Sequence, residues 1–508
     1  MVRSKHPVFS AGKIKVHTSG YIKKDGKPVP TSNPLNDASS ISVAGDSIEI
    51  GSGTFTLNAN LVLKTGMSLI GSGFGSTVIA TNGFKLELDA LNDVHISSLT
   101  VDATSSTNGV TLDNNCARIT FENVKVVNAT GDGVYSTAGG MLRFSGCYFD
   151  TNGGDGLSLL EIGSVAGLTA SGAAVNDCYF RNNVGSGLKS DKNHDDVYQG
   201  LSFEDNGNAG IYVVDPIQII ISGCALERNN ELDDVGNTWG DVTIDFATSF
   251  GNDFHVTITG CHFAAPLQER NIRINNTSTM DSVVNITGNT FSAFEFAISC
   301  GDLRPTTSLL ISSNVFIAKG HAADERPAIV LVAESGVVAA DVKIQGNTFR
   351  PSVNLLGGDL TGVKVSDITD VNLTNNHFVG LTSAIIANDG ATFIGSGNEF
   401  DGNTTDLDIT GTAALATAYS LTRSLGDVNN EASGTATILS GGTSIAVTHG
   451  LSQTPAAGDV IVTALENPTN TPGAIWVDTY TSTQFTINCE NDPGASNLDV
   501  AWQAHMHL

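Results

Sequence analysis

Thr259-Gly260-Cys261-His262-Phe263, with Ile258 just before it, is one copy of a phrase that recurs along the chain. Earlier copies read Ser145-Gly146-Cys147-Tyr148-Phe149, Asn176-Asp177-Cys178-Tyr179-Phe180 and Ser222-Gly223-Cys224-Ala225-Leu226. Later copies put Asn where the Cys stood: Asn289 before Phe291, Asn314 before Phe316, Asn347 before Phe349, Asn376 before Phe378 and Asn398 before Phe400. A branched aliphatic precedes the Phe or Leu by five residues at Ile221, Ile258, Ile286, Ile311, Ile344 and Leu373. After a polar turn a second apolar alternation begins, at Val110, Val134, Leu157, Leu188, Ile211, Val242, Ile272, Ile298, Ile329, Val363, Ile385 and Leu407.

Two or three short strands per repeat, no helical periodicity and Asn or Gly at the turns describe one coil of a parallel β-helix. Each coil pairs with the next roughly 4.8 Å along the axis, so identical positions stack. The Phe column is expected inside, and the Cys or Asn column beside it is structural, because a buried amide must bond a neighbouring coil.

Composition agrees with that reading and narrows the function. A solenoid grows without closing a spherical core, so 508 residues are expected to hold one long domain with caps. The 55 glycines and 15% charged residues suit a turn-rich all-β chain. A net charge of −27, from 25 Lys and Arg against 52 Asp and Glu, leaves too few cations to replace nucleic-acid counterions, so that partner is excluded. The seven cysteines (116, 147, 178, 224, 261, 300, 489) are odd in number and four share one coil position, which makes them inward thiols rather than disulfides. No Cys/His metal spacing is present. No charged-then-apolar leader opens the chain and no apolar run reaches the length of a membrane span. The product is expected to leave the cell by other means, or to have had its leader removed.

Residues 1–45 are polar and irregular and read as an N-terminal arm, loosely attached. The coils follow over 46–411. They open with Ile48-Glu49-Ile50-Gly51-Ser52-Gly53-Thr54-Phe55 and Met67-Ser68-Leu69-Ile70-Gly71-Ser72-Gly73-Phe74-Gly75. This passage resembles the opening of the pectate-lyase-like (pectin-lyase fold) superfamily of right-handed β-helices, where a glycine-rich turn follows the first strands. The Gly71, Gly73 and Gly75 spacing is not read as a nucleotide loop, since no helix pattern follows it. From 412 to 432 the phrase stops, and Ala413 to Leu425 read as a short helical neck. Residues 433–508 carry short Thr-rich strands between Gly, Pro and Asn turns and read as a small antiparallel β-sandwich. The residues Thr448-His449-Gly450-Leu451, Trp476-Val477, Asp492-Pro493-Gly494-Ala495 and Ala501-Trp502 resemble C-terminal modules of phage tail proteins and surface β-helix enzymes. That resemblance implies a homotrimer or a glycan-binding module, and an extracellular or virion-associated place.

Extra residues near 161–174, 190–198 and 246–253, and near 228–240, 264–270, 318–327 and 350–361, lengthen the middle coils and are expected to wall a groove. With each anchor of the second alternation inward, the residues one and three further on point outward. On the coils beginning at Leu157, Leu188, Ile211, Val242 and Ile272, the outward or turn positions carry Ser158 and Glu161, Lys189 and Asp191, Tyr212 and Asp215, Thr243 and Asp245, Arg273 and Asn275. Other coils mostly carry uncharged groups there, such as Thr111, Tyr135 and Ser299. The acids and cations have therefore collected on one patch.

Two loops flank it, Lys192-Asn193-His194-Asp195-Asp196 and Glu231-Leu232-Asp233-Asp234 running on to Trp239. An exposed Trp beside acids holds a sugar ring by stacking; the other reading is that Trp239 packs its own loop. Acids on adjacent coils, Asp215 with Asp245 or Glu161 with Asp191, are expected roughly 5 Å apart, and Asp191 with Asp245 roughly 10 Å. The first spacing suits a retaining glycosidase and the second approaches the inverting range. The candidate catalytic residues are thus Asp191, Asp215, Asp245 and Glu161, with Trp239, Asn275 and Thr243 binding the polysaccharide.

Alternatively, Lys189, Arg273, His194 or Tyr212 removes a C5 proton from a uronic acid, in β-elimination or epimerisation. The Asp-Pro-His-Glu signature of epimerases is absent, since Asp215-Pro216 runs on to Ile217-Gln218. No cofactor is required; calcium on Asp191, Asp195, Asp196, Asp233 or Asp234 is a candidate aid, though no EF-hand spacing exists. The patch is read as the site of a tailspike-like depolymerase cutting an extended, acidic polysaccharide. A glycan-binding adhesin or structural tail protein without catalysis is the alternative.

Overall fold

Each coil is built from three short strands, as in Ala174–Asn176, Tyr179–Arg181 and Leu188–Asp191. A computed structural model describes residues 12–19, 21–24, 26–162, 172–229, 239–247, 253–264, 270–278, 280–292, 294, 296–318, 326–333, 338–352, 360–388, 390–409, 414–415, 431–451, 454–465 and 468–505. The corner between first and second strands begins with a residue at positive φ, among them Gly146 (61°), Asp177 (53°), Gly260 (63°) and Asn375 (53°). Only Gly, and Asn or Asp at lower cost than other residues, enters that region readily, which is why the recurring phrase carries them there.

Every strand pairs in parallel with its counterpart in the next coil. The anchors of the second alternation form the third strand, and they run in one register: Val134 beside Leu157, then Leu188, Ile211, Val242 and Ile272. The same column continues through Ile298, Ile329, Val363 and Ile385 to Leu407. Inside, Phe263, Phe291, Phe316, Phe349, Phe378 and Phe400 stack face to face at 4.7–5.3 Å. Near its start Gly71 lies against the next coil, where a Cβ would stand 2.2 Å from the Ser98 carbonyl oxygen.

The Asn column is a ladder. Nδ2 of Asn289, Asn314, Asn347 and Asn376 donates to Oδ1 of the next Asn at 3.0–3.1 Å, and also to a carbonyl of the coil before. Upstream, Cys147, Cys178, Cys224 and Cys261 fill the same place as free, buried thiols.

A second ladder, not singled out from the sequence, stands at the corner between second and third strands. It runs Asn152, Asn183, Asn206, Asn229, with steps of 2.7–2.9 Å, and ends on Asp241, which accepts from Asn229 at 2.8 Å and from Asn271 at 2.9 Å. Burial pushes the Asp241 carboxyl up to about 6, and does the same to Asp196 beneath Tyr198, Asn193 and Ser190. A folded pKa above the unfolded value means that the native state holds the extra proton. Stability from these groups is therefore present at low pH and falls as pH rises between about 4 and 6, by at most about 1.4 kcal/mol per unit for each. In Asp241→Asn the urea midpoint at pH 7 should rise above the parent's, with the difference closing near pH 4.5. The Asn271 Oδ1, buried with no hydrogen-bond partner among the described residues, can turn to accept from the new amide. A lower midpoint at pH 7 would contradict this.

From residue 12 on, the N-terminal arm is not loose. Lys13–His17 pairs in parallel with Ser47–Ile50, a hairpin joins Tyr21–Lys24 to Lys27–Pro30, and the helix Pro34–Ile41 buries Leu35 and Ala38. The physical reason is that the first coil otherwise presents an open apolar end and unpaired strand edges, which this segment caps. In the stretch read as a helical neck, Ala414 and Leu415 instead pair with Thr392 and Phe393 as one more coil strand. Residues 416–430 lie outside the described residues.

Among the described residues the C-terminal unit comprises two antiparallel three-stranded sheets. One holds Glu431–Ile438, Leu498–His505 and Val460–Ala464, and the other Ser444–Thr448, Gln484–Cys489 and Ile475–Asp478. Glu431–Ile438 begins inside the predicted neck. Trp502 packs edge to face on Phe485 at 5.3 Å, and a Cβ on Gly434 would stand 2.9 Å from its ring. Among the described residues no helix is long and apolar enough to cross a membrane.

Candidate functional site

The third strands form one parallel sheet, and its outward face carries the patch expected from the sequence. Residues one past the anchors run Ser158, Lys189, Tyr212, Thr243, Arg273, Ser299 in a single column. Residues three past them run Leu160, Asp191, Val214, Asp245, Asn275, Gly301. Asp191 and Asp245 thus share a column two coils apart, separated by Val214. Two steps of strand spacing put them roughly 10 Å apart at the backbone.

Their surroundings differ. Asp245 is fixed from both sides: Tyr212 Oη donates to its Oδ2 at 2.9 Å and Asn275 Nδ2 to its Oδ1 at 2.6 Å. Asp191 Oδ1 is buried with no hydrogen-bond partner among the described residues. Burial raises the Asp191 carboxyl; the Lys192 and Lys189 cations pull it back, the Asp215 and Glu161 carboxylates push it further, and the net is a rise. Tyr212 is itself pushed up, by burial and then by the Asp245 charge, and stays a neutral donor. Lys189 Nζ lies 6.0 Å from the Tyr212 ring centroid, and half-buried Trp239 meets that ring edge to face at 4.7 Å.

Glu161 and Asp215 do not join the column. Each follows the column residue of its coil and turns at positive φ, 54° and 45°, so the alternation ends there. Glu161 is exposed, whereas Asp215 is buried and accepts from the Ala247 N–H at 2.6 Å. Both stay close to the column, since the Asp215 N–H donates to the Asp245 carbonyl at 2.9 Å and both carboxylates act on Asp191, while the register puts Asp191 and Asp245 themselves roughly 10 Å apart. Thr243, expected to contact substrate, is fully buried with its Oγ1 accepting from the Gly240 N–H at 2.9 Å. His194 lies half-buried at the corner after Asp191. Asp196, a calcium candidate, is an interior group, and Asp195 is exposed. Glu231, Asp233 and Asp234, with most of the expected groove walls, lie outside the described residues. Among the described residues no cluster of three or more His, Cys, Asp or Glu is arranged to hold a metal ion.

Two further acids reach the patch. Asp155 donates its N–H to Asp132 Oδ1 at 2.8 Å, and Ser186 donates its N–H to Asp155 Oδ1 at 2.7 Å. Burial and then the Asp132 charge push Asp155 up to about 6, while Lys189 acts on both acids in the opposite sense. Both stand two residues before a third-strand anchor, so stacking the coils on Val110, Val134, Leu157 and Leu188 aligns Asn108, Asp132, Asp155 and Ser186. That alignment is the signal from which they are legible.

Residues 108–238 match the family model of the right-handed β-helix region. The coils are a right-handed parallel β-helix. No curated protein matches the chain. Among solved structures it is similar to the tailspike of Pseudomonas phage phi297, at 12% identity and TM-score 0.41, over 94% of this chain and 92% of that one. The tailspike of E. coli bacteriophage HK620, solved with a hexasaccharide, aligns at 13% identity and TM-score 0.42, over 91% of this chain and 86% of that one. The A-module of the Azotobacter vinelandii mannuronan C-5 epimerase aligns at 14% identity and TM-score 0.30, over 76% and 94%. The β-helix segment matched by the family model contains Asp132, Asp155, Lys189, Asp191 and Tyr212, while Trp239, Asp245, Arg273 and Asn275 lie just beyond it.

Proposed function

We propose that the outward face of the third-strand sheet hydrolyses an extended polysaccharide, with Asp191 as general acid and Asp245 as general base. The observation that carries this is the shared column: two carboxyls, two coils apart, in opposite environments. Separations of about 6.5–9.5 Å leave room for a water between base and sugar in inverting enzymes, and side chains leaning together from two coils fall in reach of that range. Asp191, whose pKa burial raises, protonates the departing glycosidic oxygen. Asp245, held by Tyr212 and Asn275, takes a proton from the attacking water. Trp239 and Tyr212 supply an aromatic edge for a sugar ring, and Lys189 and Arg273 suit a carboxylate-bearing unit, hence an acidic polymer.

The test is incubation with acidic and neutral polysaccharides, with and without calcium, following reducing ends and the absorbance of unsaturated uronates together. New reducing ends without that absorbance are expected. Both signals would mean a lyase and move the chemistry to Lys189, Arg273, His194 and Tyr212. Binding without any cleavage would leave a glycan-binding adhesin.

The same reading places the chain outside the cell or on a virion, assembled through its C-terminal sandwich. That sandwich leaves Leu439, Ile461, Leu465 and Trp476 exposed, a set of large apolar groups that assembly would cover. Light scattering of the full chain should give the mass of a trimer; a single-chain mass would remove this part.

A further inference from the structure

A second outward face, on the sheet formed by the second strands, carries a feature that the cleavage site does not use. Tyr148 and Tyr179 occupy one outward column and stack at 4.6 Å, with ring planes 8° apart, and Phe74 closes the far side of Tyr148 edge-on at 5.2 Å. The next residues in the column are Ser202 and Ala225. The aromatic stack therefore ends abruptly, and the ring of Tyr179, 48% exposed, presents one face over two small side chains. An open cleft with about 250 Å³ of accessible space runs beside the stack from Lys125 and Tyr148 past Tyr179 to Ser202, bordered by Asp150, Arg181 and Glu204 from the neighbouring outward column.

The rim is balanced in charge and already oriented. Asp150 holds Lys125 at 3.2 Å and Arg181 at 3.6 Å, and Glu204 is paired with Arg228. Guanidinium and ammonium donors thus alternate with carboxylate acceptors around a bare aromatic face, with no excess of either sign. A peptide or lipid surface would need a longer apolar strip, and an anionic ligand an uncompensated cation. A neutral hexopyranose fits both halves: its C–H face covers an aromatic ring while its hydroxyls, donors and acceptors at once, bond the rim.

We propose that this cleft is a non-catalytic binding site for a neutral hexopyranose unit, stacked on Tyr179 and bonded at its edge by Arg181, Glu204 and Asp150. It lies on the same coils as Lys189 and Asp191 but on the adjoining sheet, so it holds a glycan chain to the β-helix without taking part in bond cleavage.

The test is calorimetric titration of the full chain with cellohexaose, maltohexaose, laminarihexaose and mannohexaose. At least one should bind, and Tyr179→Ala should weaken it tenfold or more. Ser202→Tyr, which extends the tyrosine stack into the cleft, should abolish the same binding while keeping the fold. Asp191→Asn should leave it unchanged, which separates this site from the cleavage face whatever becomes of the hydrolysis reading. Absence of binding by all four sugars, or an unchanged Kd in Tyr179→Ala and Ser202→Tyr, overturns the proposal. A lower assembly mass in Tyr179→Ala with sugar binding unaltered also overturns it, in favour of contact between copies of the chain.

Discussion

Asp191→Asn and Asp245→Asn should each lower kcat for polysaccharide cleavage by about 10²–10⁴-fold, the contribution typical of a positioned acid or base. KM should change little, because neither carboxyl is assigned to ground-state binding. The two variants are distinguishable by pH. Asp191 acts only while protonated, so parental activity falls as pH rises through its elevated pKa, and Asp191→Asn loses that alkaline limb with the activity. Asp245→Asn keeps the limb on whatever activity remains. Circular dichroism should match the parent, since both residues lie on the outward face of a sheet whose core is elsewhere. Full activity in both variants would sink the assignment of this face.

Asn314→Leu should destabilise the β-helix by about 4 kcal/mol. The Asn314 Oδ1 accepts from the Asn289 backbone N–H at 2.9 Å and from Asn289 Nδ2 at 3.1 Å, while its Nδ2 donates to the Ile286 carbonyl at 2.9 Å and to Asn347 Oδ1 at 3.0 Å. Leucine removes all four. The Asn289 side chain still reaches the Ile258 carbonyl and the Asn347 Oδ1 still accepts from the Asn314 backbone, but the Asn289 backbone N–H is orphaned in the interior. An orphaned buried donor costs about 1–3 kcal/mol, and each further lost bond about 1. Asn314→Cys should cost markedly less. The upstream coils already use a thiol there: the Cys147 N–H meets Cys178 Sγ, and the Cys224 N–H meets Cys261 Sγ, both at 3.4 Å. Urea midpoints of the two variants test this, or unfolding rates if refolding fails. A leucine variant within 1 kcal/mol of the parent would show that the ladder contributes little.

Stacking was legible in the chain because a solenoid repeats its own environment. Once Phe291, Phe316 and Phe349 recur with Asn289, Asn314 and Asn347 before them, each can only meet its counterpart, and the third-strand anchors fall in register for the same reason. Strand parity then sent Lys189, Asp191, Tyr212, Asp245, Arg273 and Asn275 to one face. Parity fails where the alternation ends. Glu161 and Asp215 turn at positive φ, and only the backbone course of those corners separates them from the column that holds Asp191 and Asp245. Burial of Thr243 was likewise invisible, since it depends on Gly240 folding back to donate to its hydroxyl. The N-terminal arm looked loose because polar segments carry no periodic signal, yet an open first coil needs a cap and this segment supplies it. The free face of Tyr179 was equally a matter of tertiary structure. Ser202 is unremarked in the sequence and becomes a cleft floor only because the register sets it directly beyond the tyrosine. The repeat therefore determined which residues stack; the corners and caps, where nonlocal contacts override the alternation, decided which of them reach solvent and one another.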